Sequence, residues 1–167
     1  ISRGMRGFGR TLQPARPLLA RCKSSFVAAI DQGTSSSRVV LYDALTLTPA
    51  AAHQVDLSGS YSTPQPGWAQ MDPRAILASV EESAAGALAK VGASAADVAG
   101  VGITNQRETI VVWDRNTGDP LYDAVLWLDT RTRDTVSTLE AELGHKDALR
   151  AQCGLPISTY FTRGQTS

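Results

Sequence analysis

The chain has 167 residues, 43% of them hydrophobic and 19% charged, with 16 basic and 16 acidic side chains. That size and balance describe a globular chain able to bury a real core, and they exclude a disordered or fibrous one. No apolar run approaches the roughly 20 residues of a membrane span, and two cysteines and two histidines form neither a disulfide framework nor a zinc-like cluster.

The zero net charge is unevenly spread. Residues 1–30 hold Arg3, Arg6, Arg10, Arg16, Arg21 and Lys23 and no acid, so the remainder carries ten basic residues against 16 acids, a net charge of minus six. The stretch "MRGFGRTLQPARPLLARCKSS" is Arg-rich, acid-free and ends in serines, which are features of an organelle transit peptide. Residues 1–25 are therefore expected to be a basic leader, with the mitochondrion as destination. The alternative is a translated extension of no targeting value, with the cytoplasm as the default. The acidic body argues against a nucleic-acid partner.

Organised sequence starts at Phe26. Phe26–Ile30 and Arg38–Tyr42 read as strands, apolar nearly throughout and so expected to be covered on both faces. A third strand is expected around Ala50–Leu57. "STPQPGW", residues 62–68, reads as a loop because prolines and glycine break a ladder. Asp72 and Pro73 open a helix as cap and first-turn residue. Ile76, Leu77, Val80, Ala84, Ala87, Leu88 and Val91 then recur on one face, and Gly92 closes it. Val98–Thr104 and Thr109–Trp113 read as further strands, with "RNTGDP" as a turn and Val125–Leu128 as another short apolar run. Helices are expected over Arg131–Leu143, ended by Gly144, and over Lys146–Gln152. Strands, then a helix, then strands again imply an α/β domain with a mixed sheet.

The polar stretch between the first two strands, "DQGTSSSR", carries one carboxylate, one glycine and four consecutive hydroxyls. Hydroxyls and freed backbone N–H groups can surround an anion. Asp31 would repel a phosphate unless a divalent cation lay between them, and magnesium takes carboxylate and water on one side and phosphate oxygens on the other. Gly33 allows close backbone approach, and Arg38 can add a phosphate contact. On composition alone an ordinary Ser/Thr-rich turn is an equal alternative. No G-x-x-x-x-G-K-[ST] is present, and "GVGITN" lacks the third glycine of a dinucleotide fingerprint.

"DQGTSSSRVV" resembles the first phosphate motif of the FGGY carbohydrate kinases, which share the actin and hexokinase ATPase fold. "GITNQRETIVVWD", "AVLWLDTRT" and "GLPISTYF" follow in the order and spacing seen among the glycerol kinases of that family. The resemblance covers residues 26–161 and implies an RNase H-like, actin-like ATPase domain whose mixed sheet is flanked by helices, incomplete as it stands here. It implies an ATP-dependent phosphotransferase acting on glycerol, with Mg2+ as cofactor and a homo-oligomeric parent enzyme. Asp31 matches the metal-and-phosphate aspartate, reaching the metal through water. Gly33, Thr34, Ser35, Ser36 and Arg38 match nucleotide-phosphate positions, and Thr34 also lies where the product phosphate is held. Arg107 and Glu108 match the pair that binds glycerol hydroxyls, Trp127 the aromatic over the glycerol carbons, and Tyr160 the tyrosine that hydrogen-bonds the substrate. The family's general-base aspartate matches no position in this chain. The tail "TRGQTS", residues 162–167, departs from the family's continuation. The missing aspartate and the family's greater length imply that the chain is a fragment, expected to be inactive alone. Another sugar kinase of the same family, or a non-catalytic nucleotide-binding module, stands as the alternative.

Overall fold

The computed structural model describes residues 25–161. Residues 1–24 of the expected leader and the expected divergent tail, residues 162–167, lie outside the described residues. Strand β1 (Phe26–Gln32) pairs antiparallel with β2 (Ser36–Asp43), which pairs antiparallel with β3 (Pro49–Asp56). After two short strands, β4 (Tyr61–Ser62) and β5 (Gln70–Met71), helix α1 (Pro73–Lys90) crosses back, and β6 (Val98–Asn105) joins β1 in parallel. The main sheet runs β3-β2-β1-β6 and is mixed, as the sequence implies. A small second sheet orders β4-β5-β7, with β7 at Ala124–Val125. Helices α2 (Arg133–Leu143) and α3 (Arg150–Cys153) follow.

Helix α1 begins as its sequence dictates. The Asp72 carboxylate accepts from the Arg74 N–H at 2.8 Å, and Pro73 occupies the first turn, where its missing N–H has no helical partner to lose. The face nearest the sheet is made of small residues. Ser79, Ser83 and Ala87 are buried, and a Cβ on Gly86 would fall 2.4 Å from the His53 imidazole. The Ser79 hydroxyl lies 2.7 Å from that of Ser37, and the Ser83 hydroxyl donates to the Ser37 carbonyl at 2.9 Å. Two buried hydrogen bonds therefore fasten the helix to β2, each worth about 1 kcal/mol. Ala28, Val39, Leu41 and Ala87 form the core between helix and sheet. A second cluster of Leu57, Ala69, Met71 and Leu126 sits under the small sheet.

Several expectations need correction. Thr109–Trp113 is not a strand: beyond Asn105 the chain turns through Glu108 in a left-handed conformation, φ 64°, and only the isolated bridges Ile110–Val125 and Trp113–Pro120 form. The Val125–Leu128 run contributes only its first residue to β7, because Leu126 and Asp129 enter a turn closed by the Asp129 N–H on the Leu126 carbonyl at 2.9 Å. Helix α3 is shorter and later than Lys146–Gln152. The strands are also not covered on both faces among the described residues. Helix α1 lies over β2 and β3, and Val101 and Ile103 on β6 remain 57% and 72% exposed. Apolar composition marks a surface that favours burial; it does not say what buries it.

Candidate active site

The polar stretch after β1 folds more tightly than its length suggests. Asp31 and Gln32 continue β1, and Ser36 already opens β2. The turn is reduced to Gly33, Thr34 and Ser35, closed by the Gly33 N–H on the Ser36 carbonyl at 2.8 Å. The two-residue period of the strands then sorts the side chains. Asp31 and Arg38 pair across the hairpin on the face away from α1, and both are exposed. Gln32 and Ser37 pair on the α1 face, and both are buried. The fourth hydroxyl of the run, Ser37, is thus taken up by α1 and faces no ligand.

The parallel strands β1 and β6 end side by side, with Asp31 opposite Thr104 and Gln32 opposite Asn105. In sheets of this kind ligands gather beyond the carboxyl ends of parallel strands. A pocket of about 530 Å³ opens there. Asp31, Gly33 and Thr34 line it from the hairpin, Thr104 to Arg107 from the end of β6, and Trp127 and Tyr160 from the loops beyond. Of the ten candidate residues, this pocket gathers Asp31, Gly33, Thr34, Arg107, Trp127 and Tyr160. Ser35 and Ser36 stand behind Thr34 on the hairpin. Glu108 follows Arg107 through the left-handed turn and is half-buried outside the lining. The Arg38 guanidinium donates along the sheet to Gln54 Oε1, at 2.9 Å from Nε and 2.6 Å from Nη2.

The walls of the pocket are tied together. The Trp127 indole N–H donates to Thr34 Oγ1 at 2.9 Å. Trp127 and Tyr160 meet edge-on with centroids 5.8 Å apart. Beneath them Gln32 and Gln106 are both buried. Gln32 Nε2 donates to the Gly33 carbonyl at 2.7 Å, and Gln106 Nε2 donates to Gln32 Oε1 at 3.3 Å. The Thr109 hydroxyl donates to Gln106 Oε1 at 3.0 Å and accepts from the Trp127 backbone N–H at 3.3 Å.

The Trp127 loop is anchored from behind by Asp129, which is 1% exposed. Its carboxylate accepts from the Ala69 N–H at 2.6 Å and the Arg131 N–H at 2.8 Å, and from the Arg131 guanidinium at 2.8 Å. That guanidinium also lies 3.8 Å over the Trp68 ring. Burial opposes ionisation of Asp129, but the Arg131 side chain and the two backbone donors outweigh it and hold the carboxyl below its usual 3.8. Gln32, Gln106, Thr109, Asp129 and Arg131 escape the sequence reading. The strand period offers a signal for Gln32, since it places that residue inward beside outward Asp31.

As to a metal, no group of three or more His, Cys, Asp or Glu stands together among the described residues. The donor set at the pocket is one exposed carboxylate, Asp31, beside the Thr34 hydroxyl. That set fits Mg2+, which keeps several waters and is held by one or two carboxylates together with substrate phosphates.

Residues 26–165 match the model for "FGGY family of carbohydrate kinases, N-terminal domain". The chain is 47% identical over 139 residues to a glycerol kinase of Rhizorhabdus wittichii, covering 83% of this chain and 26% of that one. It is 44% identical over 145 residues to a glycerol kinase of Arabidopsis thaliana, covering 84% of this chain and 27% of the relative. The chain thus spans about a quarter of the length of these curated relatives. Among solved structures, Plasmodium falciparum glycerol kinase with ADP superposes with a TM-score of 0.72 at 30% identity, over 84% of this chain and 27% of that one. Xylulose kinase from Rhodospirillum rubrum gives a TM-score of 0.72 at 26% identity, over 84% of this chain and 28% of that one. With its mixed sheet, its actin-like ATPase fold and the family model matched along most of its length, the chain belongs to the FGGY carbohydrate kinases.

Proposed function

We propose that this segment supplies the phosphate-holding hairpin and the acceptor wall of a glycerol kinase, which transfers the ATP γ-phosphate to a terminal hydroxyl of glycerol. The observation that carries the reading is the convergence of Asp31, Gly33 and Thr34 with Arg107, Trp127 and Tyr160 on one pocket at the ends of β1 and β6. The 47% identity to a glycerol kinase supports it. The Thr34, Ser35 and Ser36 hydroxyls hold phosphate oxygens, Gly33 lets the phosphate approach the backbone closely, and Arg38 exchanges its bonds to Gln54 for a phosphate contact. Asp31 orients a water-coordinated Mg2+, which when bound neutralises charge on the transferring phosphates. Arg107 donates to glycerol hydroxyls and Glu108 accepts from them. The Trp127 face covers the carbons, and Tyr160 hydrogen-bonds the substrate. Transfer of this kind depends on positioning and charge stabilisation more than on covalent chemistry. The family's general-base aspartate matches no residue here, so the 167-residue chain by itself is expected to transfer nothing to glycerol.

Another sugar kinase of the same family is the second reading, because the xylulose kinase superposes as well as the glycerol kinase does. The test is a full-length hybrid in which residues 26–161 replace the matching segment of the Rhizorhabdus wittichii enzyme. Its kcat/KM is measured for glycerol, xylulose and gluconate. A preference for glycerol of at least about a hundredfold is expected, the scale reached when a site is built to pair substrate hydroxyls. A preference for either of the others would replace the reading.

A further inference from the structure

We infer that Gln32, Gln106 and Thr109 are positioning residues: a hydrogen-bonded relay, buried at its two glutamines, that fixes the spacing between the phosphate hairpin and the Trp127 wall. The relay starts at the Gly33 carbonyl, passes through the two glutamine amides and the Thr109 hydroxyl, and ends at the Trp127 backbone N–H. The Trp127 indole N–H then returns to Thr34, the residue after Gly33. The connections close a ring around the floor of the pocket. Thr34 and Trp127 both line the pocket.

Two physical arguments separate this relay from ordinary core packing. Burying a primary amide is unfavourable unless its groups are paired, and apolar side chains of similar volume would fill the same space at lower cost. Here two amides are buried side by side, 6% and 8% exposed, bonded to one another and to the Gly33 carbonyl of the hairpin. Secondly, the relay runs from the hairpin to the Trp127 loop, a path along which the β1–β6 ladder gives way to the isolated Ile110–Val125 bridge. The hairpin belongs to the main sheet, whereas Trp127 follows the small sheet. Phosphoryl transfer is sensitive to that distance, since misplacement by about 1 Å can cost about a hundredfold in rate.

The kinetic consequence rests on the proposed phosphoryl-transfer reading, while the structural one does not. The structural test uses the 167-residue chain with 15N-labelled tryptophan and follows hydrogen exchange at the Trp127 indole N–H. Thr109→Val, nearly isosteric but without the hydroxyl, is expected to speed that exchange at least about fivefold, as is Gln106→Leu. Thr109→Ser, which keeps the hydroxyl, is expected to stay within about twofold. Unchanged exchange in both Thr109→Val and Gln106→Leu would overturn the inference. In the hybrid enzyme, Thr109→Val and Gln106→Leu are expected to lower kcat about 10- to 100-fold with both KM values nearly constant, and their combination to be little worse than either alone. An unchanged kcat, or a loss confined to KM, would equally overturn it. If another acceptor proves to be the substrate, the same kcat-against-KM split is read with that acceptor. Failure of the glycerol reading is thereby told apart from failure of the relay.

Discussion

The Trp127 indole N–H donates to the Thr34 hydroxyl at 2.9 Å, joining residues 93 positions apart in sequence. One belongs to the hairpin assigned to phosphate, the other to the wall assigned to the acceptor. The bond is partly exposed, so water can replace either partner, and its net worth is about 0.5–1.5 kcal/mol. Trp127→Phe keeps an aromatic face over the pocket and removes the donor together with part of the ring area that meets Tyr160. In the hybrid enzyme it is expected to lower kcat about two- to tenfold with little change in KM for ATP. Steady-state kinetics with glycerol and ATP varied in turn check this. An unchanged kcat would mean that the hydrogen bond does not position the reacting groups.

Glu108 combines an expected role with an unusual backbone. Its φ of 64° lies in the left-handed region, where a side chain costs about 1 kcal/mol relative to glycine. Two substitutions separate the carboxylate from the conformation. Glu108→Ala and Glu108→Gly should both lower kcat/KM for glycerol by at least about tenfold while ATP affinity holds, because both remove the acceptor. Glu108→Gly should also be the more stable of the two by about 1 kcal/mol in thermal unfolding. Equal melting temperatures would remove the strain argument, and an unchanged kcat/KM would remove the substrate role.

The arrangement of the main strands and α1 was legible because period-two and helical patterns report local geometry directly. The extension of β1 through Asp31 and Gln32 was not, since a polar residue at the end of an apolar strand looks like loop. Thr109–Trp113 differs for the opposite reason: its β-branched, apolar run has the composition of a strand, but a left-handed turn just before it carries the chain off the ladder. The residues proposed to face a ligand carry a recognisable motif. The residues that hold those in place, such as Gln106 and Asp129, depend on contacts across 74 and 60 positions, which no local pattern encodes.

Asp129 supplies a pH signature. Its carboxyl is held below its usual value of 3.8 by Arg131 and two backbone donors. A depressed acid contributes stability that is fully present above the unfolded value and is lost as pH falls from there through the lower folded value. Unfolding free energy should therefore decline as pH drops below 3.8. In Asp129→Asn that decline should be shallower. It should persist in part, because Asp43, Asp56, Asp97, Asp114 and Asp119 are also lowered, by exposed hydrogen bonds. At neutral pH the substitution should cost about 2–3 kcal/mol, since it leaves a partly solvated Arg131 without its charge partner. Denaturant titration at neutral and acid pH checks both. Parallel acid declines in the two proteins would contradict the assignment.

We also propose that residues 5–25 direct the protein to mitochondria, on the strength of a stretch rich in arginine and serine and free of acid. Fused ahead of a fluorescent reporter, the segment is expected to give mitochondrial fluorescence. A reporter spread through the cytosol would withdraw the proposal and leave the cytoplasm as the compartment.

The most direct test concerns Asp31, which among the described residues is the one carboxylate that lines the pocket. ATP-dependent formation of glycerol 3-phosphate is measured in the hybrid enzyme with Asp31 intact and with Asp31→Ala. The account predicts a fall in kcat of at least about a hundredfold, the scale of losing one group that stabilises transition-state charge, with glycerol binding retained. Turnover within about twofold of the parent would contradict the claim that this hairpin holds the transferring phosphate.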